Sequence, residues 1–279
     1  MRRLWRNASD SLGVMSSPDL EVAAGEFAQS RRDPRTVLPL PDRDFDALAF
    51  IGRWYQIAQY QLEGAIFPNR SPTVASRAVR RLHAAGLIVV ERWNRIGLNL
   101  LRLTAAGCSA LLERGIDERS IFLPKKAVAL KDLAHHLWIV DTGLMVTSVS
   151  PTMEVTPCWT LRRRLSALRP AAIPDVLALR ASVDGEPEAA LAIEVDLGGE
   201  RLKNVLVPKL GVLRDTLTSW AAGQPAAIIV LTVGNRRLAA LEAALLLQPH
   251  PVPIVVLPLP KQPNRPGLAA LRQAMQSVL

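Results

Sequence analysis

The stretch LAIEVDLGGE, residues 191 to 200, limits the fold more than any other part of the chain. Ile193, Val195 and Leu197 alternate with Glu194 and Asp196, which predicts a strand carrying both carboxylates on one face. The run before them is apolar enough for the middle of a sheet, where an unpaired carboxylate costs roughly several kcal/mol. Such a strand needs a compensating group at that point: a metal ion, a lysine, or water at the rim of the sheet.

The pattern around this strand is mixed α/β (α+β). A helix over LAHHLWIVDTGLMV precedes three strand candidates, EVTPCWTL, PDVLALRAS and AALAIEVDL, the last two joined across the turn VDGEPE. An interrupted helix from Glu200 to Ala222 leads to the strand AAIIVLTV, the helix RRLAALEAALLL and the strand VPIVVLP. This order predicts a mixed sheet flanked by helices. At 279 residues the chain has room for about two domains. The reading divides it into an arm over 1–40, a first domain over 41–116, a linker over 117–130, a second domain over 131–260 and a terminal helix over 261–279.

The first domain reads as three helices and a hairpin. One helix runs from Asp42 or Asp44 through FDALAFIGRWYQI, and a second covers AQYQLEGAIF up to Pro68. The third starts at Ser71 with Pro72 at its first position and ends near Gly86. LIVVERW and LNLLRLT then flank the turn NRIG, and TAAGCSALLERG forms a short helix. On the third helix Val74, Ala78, Leu82 and Ala85 make one face, and Thr73, Ser76, Arg77 and Arg80 the other, with Arg81 at the border. From Ile66 to Leu103 seven arginines (Arg70, Arg77, Arg80, Arg81, Arg92, Arg95, Arg102) stand against one acid, Glu91, out of a net charge of +9 for the chain. A basic helix face beside a basic hairpin suits double-stranded DNA, with Arg70, Thr73, Ser76, Arg77, Arg80, Arg81, Arg92 and Arg95 as the contacting residues. A solvated basic face on a protein-binding domain is the competing reading.

SPTVASRAVRRLHAAGLIVV and LLRLTAAG resemble the winged helix-turn-helix fold. In the second domain, Pro174-Asp175 opens one strand and Glu194 and Asp196 close the next. An antiparallel hairpin would bring Asp175, Glu194 and Asp196 to one sheet edge, a hard-oxygen set of the kind Mg²⁺ or Mn²⁺ takes. Element order and the PD…EVD pattern resemble the PD-(D/E)XK nuclease superfamily, a restriction-endonuclease-like fold. That pattern has lysine where this chain has Asp196. Lys209, inside the apolar stripe of the following helix, or Lys203 at its border, would take the lysine's catalytic place beside Asp175, Glu194 and Asp196, although Pro208 interrupts that helix. With AHHLWIVD, RPAAIPDVLALR and LAIEVDLGGERL added, residues 45 to 233 resemble the replication-relaxation family of plasmid and mobile-element proteins.

That resemblance implies DNA binding in replication, mobilisation or transcriptional control. Three functions stay open: a DNA-binding accessory protein, a Mg²⁺- or Mn²⁺-dependent DNA endonuclease, and a regulator of a partner protein. The endonuclease competes with a bland alternative, in which Asp175 is a turn residue and Glu194 and Asp196 a salt-bridged structural pair. The expected partners are double-stranded DNA, other replication, mobilisation or recombination proteins, and a second copy as homodimer. No segment approaches the ~20 apolar residues of a membrane span, and the amino end lacks a signal-peptide core. With only Cys108 and Cys158, no disulfide framework is expected, which fits a cytoplasmic protein. His135 and His136 read as capping or packing, Cys108 as core and Trp93 as packing beside the hairpin.

Overall fold

The computed structural model describes residues 40–122, 126–166, 170, 172–181, 187–221, 224–246 and 250–276. The expected arm lies outside the described residues except for Leu40, and so does most of the turn between the last two strands of the carboxylate hairpin. The chain is mixed α/β, with one three-stranded and one five-stranded sheet. Among the described residues no helix is long and apolar enough to cross a membrane.

The first unit runs α1 (Asp42–Arg53), β1 (Gln56–Ala58), α2 (Gln59–Ile66), α3 (Pro72–Ala84), β2 (Ile88–Trp93), β3 (Leu98–Leu103) and α4 (Ala105–Glu113). The first helix stops earlier than its sequence suggests. Tyr55 turns left-handed at φ 67°, and Gln56–Ala58 becomes an edge strand paired antiparallel with Leu100–Arg102. Three residues are too few for an alternating pattern to show, so this strand had no sequence signal. α3 buries Ala75, Ala78, Val79 and Leu82. The buried face is therefore rotated from the expected one: Val74 is half-buried and Ala85 caps the helix in solvent.

The second unit opens with the twenty-residue helix α5 (Leu130–Val149). It is followed by β4 (Glu154–Pro157), α6 (Cys158–Arg164), β5 (Val176–Ala181) and β6 (Pro187–Asp196). A π-helical turn (Leu202–Leu206) then runs into α7 (Val207–Ala221), β7 (Ala226–Thr232), α8 (Asn235–Leu246), β8 (Ile254–Pro258) and α9 (Arg265–Gln276). Sheet order is β4-β5-β6-β7-β8, antiparallel through β6 and parallel from β6 to β8. The strand expected over EVTPCWTL ends at Pro157, and Cys158 begins a helix instead, because a proline at the strand end offers no further amide to the ladder. Pro208 sits in the first turn of α7, where its missing N–H breaks no helical bond. The π-helical turn before it closes on the Val207 N–H donated to the Leu202 carbonyl.

The two units share a core. Leu48, Trp54 and Leu101 of the first pack in one continuous cluster with Trp138, Val146, Ile193 and Val195 of the second. The residues expected to link them are themselves tied down: Phe122 N–H donates to the Gly52 carbonyl, and Val128 N–H to Gln56 Oε1 at 2.8 Å. α5 makes the junction. The Gln61 amide donates to Asp141 Oδ1 at 2.8 Å and Tyr60 OH to Asp141 Oδ2 at 2.6 Å. Gly143 lies so close to Trp54 that an added Cβ would stand 2.1 Å from the indole.

Candidate functional site

The carboxylates are placed by strand register. Val176 pairs with Ile193, so Asp175, one residue earlier, lies beside Glu194, one residue later. Both follow the alternation of Leu177 and Ala192 onto the face covered by α7, where Leu210 and Leu213 are buried with them. Lys209 reaches in from that helix, and its ammonium donates to Glu194 Oε2 at 2.6 Å. Asp175 Oδ2 accepts the Val195 N–H at 2.9 Å. From the opposite side, His135 in the second turn of α5 brings Nε2 to 3.2 Å from Asp175 Oδ2 and 2.9 Å from the Val195 carbonyl oxygen. Among the described residues the buried Glu194 Oε1 has no hydrogen-bond partner.

This electrostatic arrangement separates the two acids. Burial, reinforced by the neighbouring Asp175 charge, pushes Glu194 up to about 8 despite the Lys209 ammonium. Burial also opposes ionisation of Asp175, but the His135 hydrogen bond and the His135 and Lys209 charges outweigh it and hold that carboxyl below its ordinary value. For Lys209, burial disfavours the charge, while Glu194 and Asp175 more than compensate and raise its pKa.

Asp196, two residues on, is engaged elsewhere. Arg237 from α8 grips it with Nε at 2.5 Å from Oδ2 and Nη2 at 2.9 Å from Oδ1. Thr232 Oγ1 donates to it at 2.7 Å and the Gly198 N–H at 2.9 Å. Its oxygens are occupied by fixed donors, so the expected three-carboxylate set reduces to Asp175 and Glu194. Among the described residues no group of three or more His, Cys, Asp and Glu side chains is arranged to hold a metal ion. Two carboxylates still fit a divalent cation that completes its shell with water and phosphate oxygens, and the orphaned Glu194 Oε1 has the lone pairs for it. Lys203 is exposed on the π-helical turn, so of the two lysines only Lys209 makes contact with Glu194.

The basic surface divides in the same way. Thr73, Arg77 and Arg80 are exposed along α3, with Arg70 just before it and Arg95 at the hairpin tip. Among the described residues none of these four arginines makes an ion pair. Arg81 does not share their freedom: its guanidinium forks onto Asp44 of α1, with both bonds at 2.8 Å. Arg102 pairs with Glu91 within the hairpin. Arg92 starts a side-chain relay, donating to Asn99 Oδ1 at 3.0 Å; Asn99 donates to Gln59 Oε1 and Gln59 to Ser76 Oγ, each at 2.9 Å. The relay ties the hairpin to α3, and it engages the half-buried Ser76 hydroxyl instead of leaving it free on the open face. A cavity of about 380 Å³ between α2, the start of α3 and α9 adds Arg265 and Arg272 beside Arg70.

Sequence reasoning missed His135, Gln59, Asn99, Thr232 and Arg237. The sequence reads His135 as capping or packing, yet the helix N-cap is Ala129 and the ring lies against Asp175. Its neighbour His136 does pack: its ring stacks on Trp159 at 4.7 Å, and burial lowers its pKa to about 4. Cys108 and Cys158 are buried and unpaired, and Trp93 packs partly buried against Leu100. Comparison with known protein families and with curated proteins gives no match for this chain.

Proposed function

We propose that this chain is a DNA-binding protein built from a winged helix-turn-helix unit and a restriction-endonuclease-like unit. The carrying observation is the exposed guanidinium groups of Arg77 and Arg80 on α3, which make no ion pair among the described residues, beside a hairpin that a side-chain relay holds in place. The α1-β1-α2-α3-β2-β3 order with the hairpin at the sheet edge supports that reading. α3 then enters the major groove, with Arg77 and Arg80 toward base edges or phosphates and Arg70, Arg92 and Arg95 toward the backbone. Thr73 lies on the same open face. The family resemblance of the motifs points to a role in replication or mobilisation of a plasmid or mobile element, with transcriptional control as a further form of the same DNA-binding role. Titrating a labelled duplex at several salt concentrations tests the proposal; affinity independent of salt would remove it.

A second reading, metal-dependent cleavage of phosphodiester bonds, is favoured by one observation: Lys209 closes on Glu194 beside Asp175 although the strand position of the expected lysine is Asp196. Asp175 and Glu194 would hold Mg²⁺ or Mn²⁺, which when bound neutralises charge at a scissile phosphate. Lys209 has donors left after Glu194 and would steady charge developing on a phosphoryl oxygen. Incubation of supercoiled plasmid with Mn²⁺ is expected to give nicked or linear product that Glu194→Ala abolishes. Intact plasmid across Mg²⁺ and Mn²⁺ would leave the DNA-binding role alone.

A further inference from the structure

We infer that the cavity between α2, the start of α3 and α9 seats a backbone phosphate of the bound duplex, so that the last helix of the second unit takes part in DNA binding. This rests on the DNA-binding reading above and extends that surface to α9. Three guanidinium groups line the cavity of about 380 Å³, those of Arg70, Arg265 and Arg272, against one carboxylate, Glu63. Arg265 is paired with Glu63, whose other oxygen accepts the Gln59 amide at 3.1 Å. Arg70 and Arg272 are exposed and, among the described residues, make no ion pair. The recess therefore keeps two cationic groups with no acid to neutralise them.

Local structure holds both arginines in place. Asn69 turns left-handed at φ 62°, a conformation asparagine tolerates, and the Arg70 N–H donates to the Phe67 carbonyl at 3.2 Å, which sets Arg70 on the turn into α3. On α9, Arg265, Leu268, Ala269 and Arg272 follow helical spacing and make the face that lines the cavity. The adjoining face buries Leu271 and Met275, and Gly267 lies so close to α5 that an added Cβ would stand 3.0 Å from the Trp138 indole. Asn264 Oδ1 accepts the Gly267 N–H at 2.9 Å at the helix start. Arg272 thus reaches the cavity from a docked backbone.

Beside the cavity, α3 carries Thr73, Arg77 and Arg80 in solvent. A helix in the major groove has a phosphate strand along each side, so a basic recess at its first turn meets one of them. Each guanidinium fork matches two phosphate oxygens, which favours a phosphodiester over a neutral ligand. Phe67 and Leu268 line the same recess and give the adjoining sugar an apolar wall. That wall and the continuity with the arginines of α3 favour the duplex over a free anion.

The test uses the full chain and a labelled duplex titrated at several salt concentrations. Arg272→Ala is expected to lower the salt slope by about one and to weaken binding about threefold or more at low salt, with the melting temperature unchanged. Arg272→Lys keeps the charge and is expected to keep most of the slope. Because Arg70 and Arg272 share one phosphate, the loss in the double alanine variant should fall short of the product of the single losses. Unchanged slope and affinity in Arg272→Ala, while Arg77→Ala with Arg80→Ala lowers both, overturns the inference and leaves the DNA-binding reading standing. Binding independent of salt in the unaltered chain removes both. Calorimetry with inorganic phosphate covers the other occupant: phosphate binding that Arg272→Ala abolishes, with duplex affinity unchanged, makes the cavity a free-anion site and overturns the inference as well.

Discussion

On α3 the guanidinium groups of Arg77 and Arg80 stand in solvent, whereas at the end of β6 the charged side chains are buried and most of their polar atoms are bonded. Among the described residues Arg77 and Arg80 make no ion pair, which keeps their charge available; Arg81, one residue further, loses that availability to Asp44. In the second, the contrast repeats within two residues. Asp196 is saturated by Arg237, Thr232 and Gly198, while Glu194 has Lys209 on one oxygen and, among the described residues, no partner on the other. Two carboxylates of one strand face thus have different roles. One acid is satisfied on both oxygens, and the other keeps a buried oxygen with no hydrogen-bond partner among the described residues.

That contrast is open to direct attack, and the largest effect is expected at the saturated acid. Arg237→Ala leaves Asp196 buried without its counter-charge and should cost about 3 kcal/mol or more in chemical denaturation. A loss below about 1 kcal/mol would mean that Asp196 is no more a structural clamp than Glu194. Next comes the junction between the regions. Gly143→Ala forces a methyl into the Trp54 indole and should destabilise the whole chain by about 1–3 kcal/mol in a single transition. Two separate unfolding steps would show that the basic surface and the carboxylates do not share one cooperative core.

A smaller effect is expected on the basic surface. Arg77→Ala combined with Arg80→Ala should lower the salt slope of duplex binding by about two and leave thermal stability unchanged, while Arg81→Ala should do the reverse. Equal loss of affinity in both would erase the distinction between free and paired arginines.

The smallest effect is a pH trend. Burial raises Asp141 from an ordinary 3.8 to about 7, and burial with Asp175 raises Glu194 from 4.5 to about 8. Both hold protons to higher pH when folded than when unfolded, so their contribution is full below the ordinary values and is lost as pH rises through the raised ones. Neutral His136, lowered from 6.5 to about 4, works in the opposite sense at more acidic pH, which leaves pH 6.5 to 8 as the window, where His135, raised despite burial by Asp175, adds a fall of the same sign. The melting temperature should fall gently across it, and Asp141→Asn should flatten part of the fall. A rise across that window would contradict the assignment of raised acids.

Much of this was legible along the chain. The alternation at residues 191 to 200 and the Pro-Asp before β5 set the carboxylate hairpin, because strand period and antiparallel register are local and repetitive. Lys209 stood out as a charge within a buried stripe, and Ser71-Pro72 marked the start of α3. Partners from distant segments left no such trace. The exposed stripe of α3 gave no means of telling Arg77 from Arg81, since Asp44 lies 37 residues away. Arg237 is 41 residues beyond Asp196, and nothing in its own helix marks it as a clamp. His135 beside His136 looks like one packing pair, because adjacent residues on a helix differ only in direction, and that direction depends on what each side meets.

Period and local turn chemistry therefore determined which residues could share a face: the acids of β6, the arginines of α3, the apolar stripe of α7. Tertiary structure decided which of those charges pair with one another and which stay exposed to solvent. A backbone pattern repeats every few residues and is written locally, whereas the pairing of a charge is a contact between segments far apart in the chain, fixed only when the core closes around it.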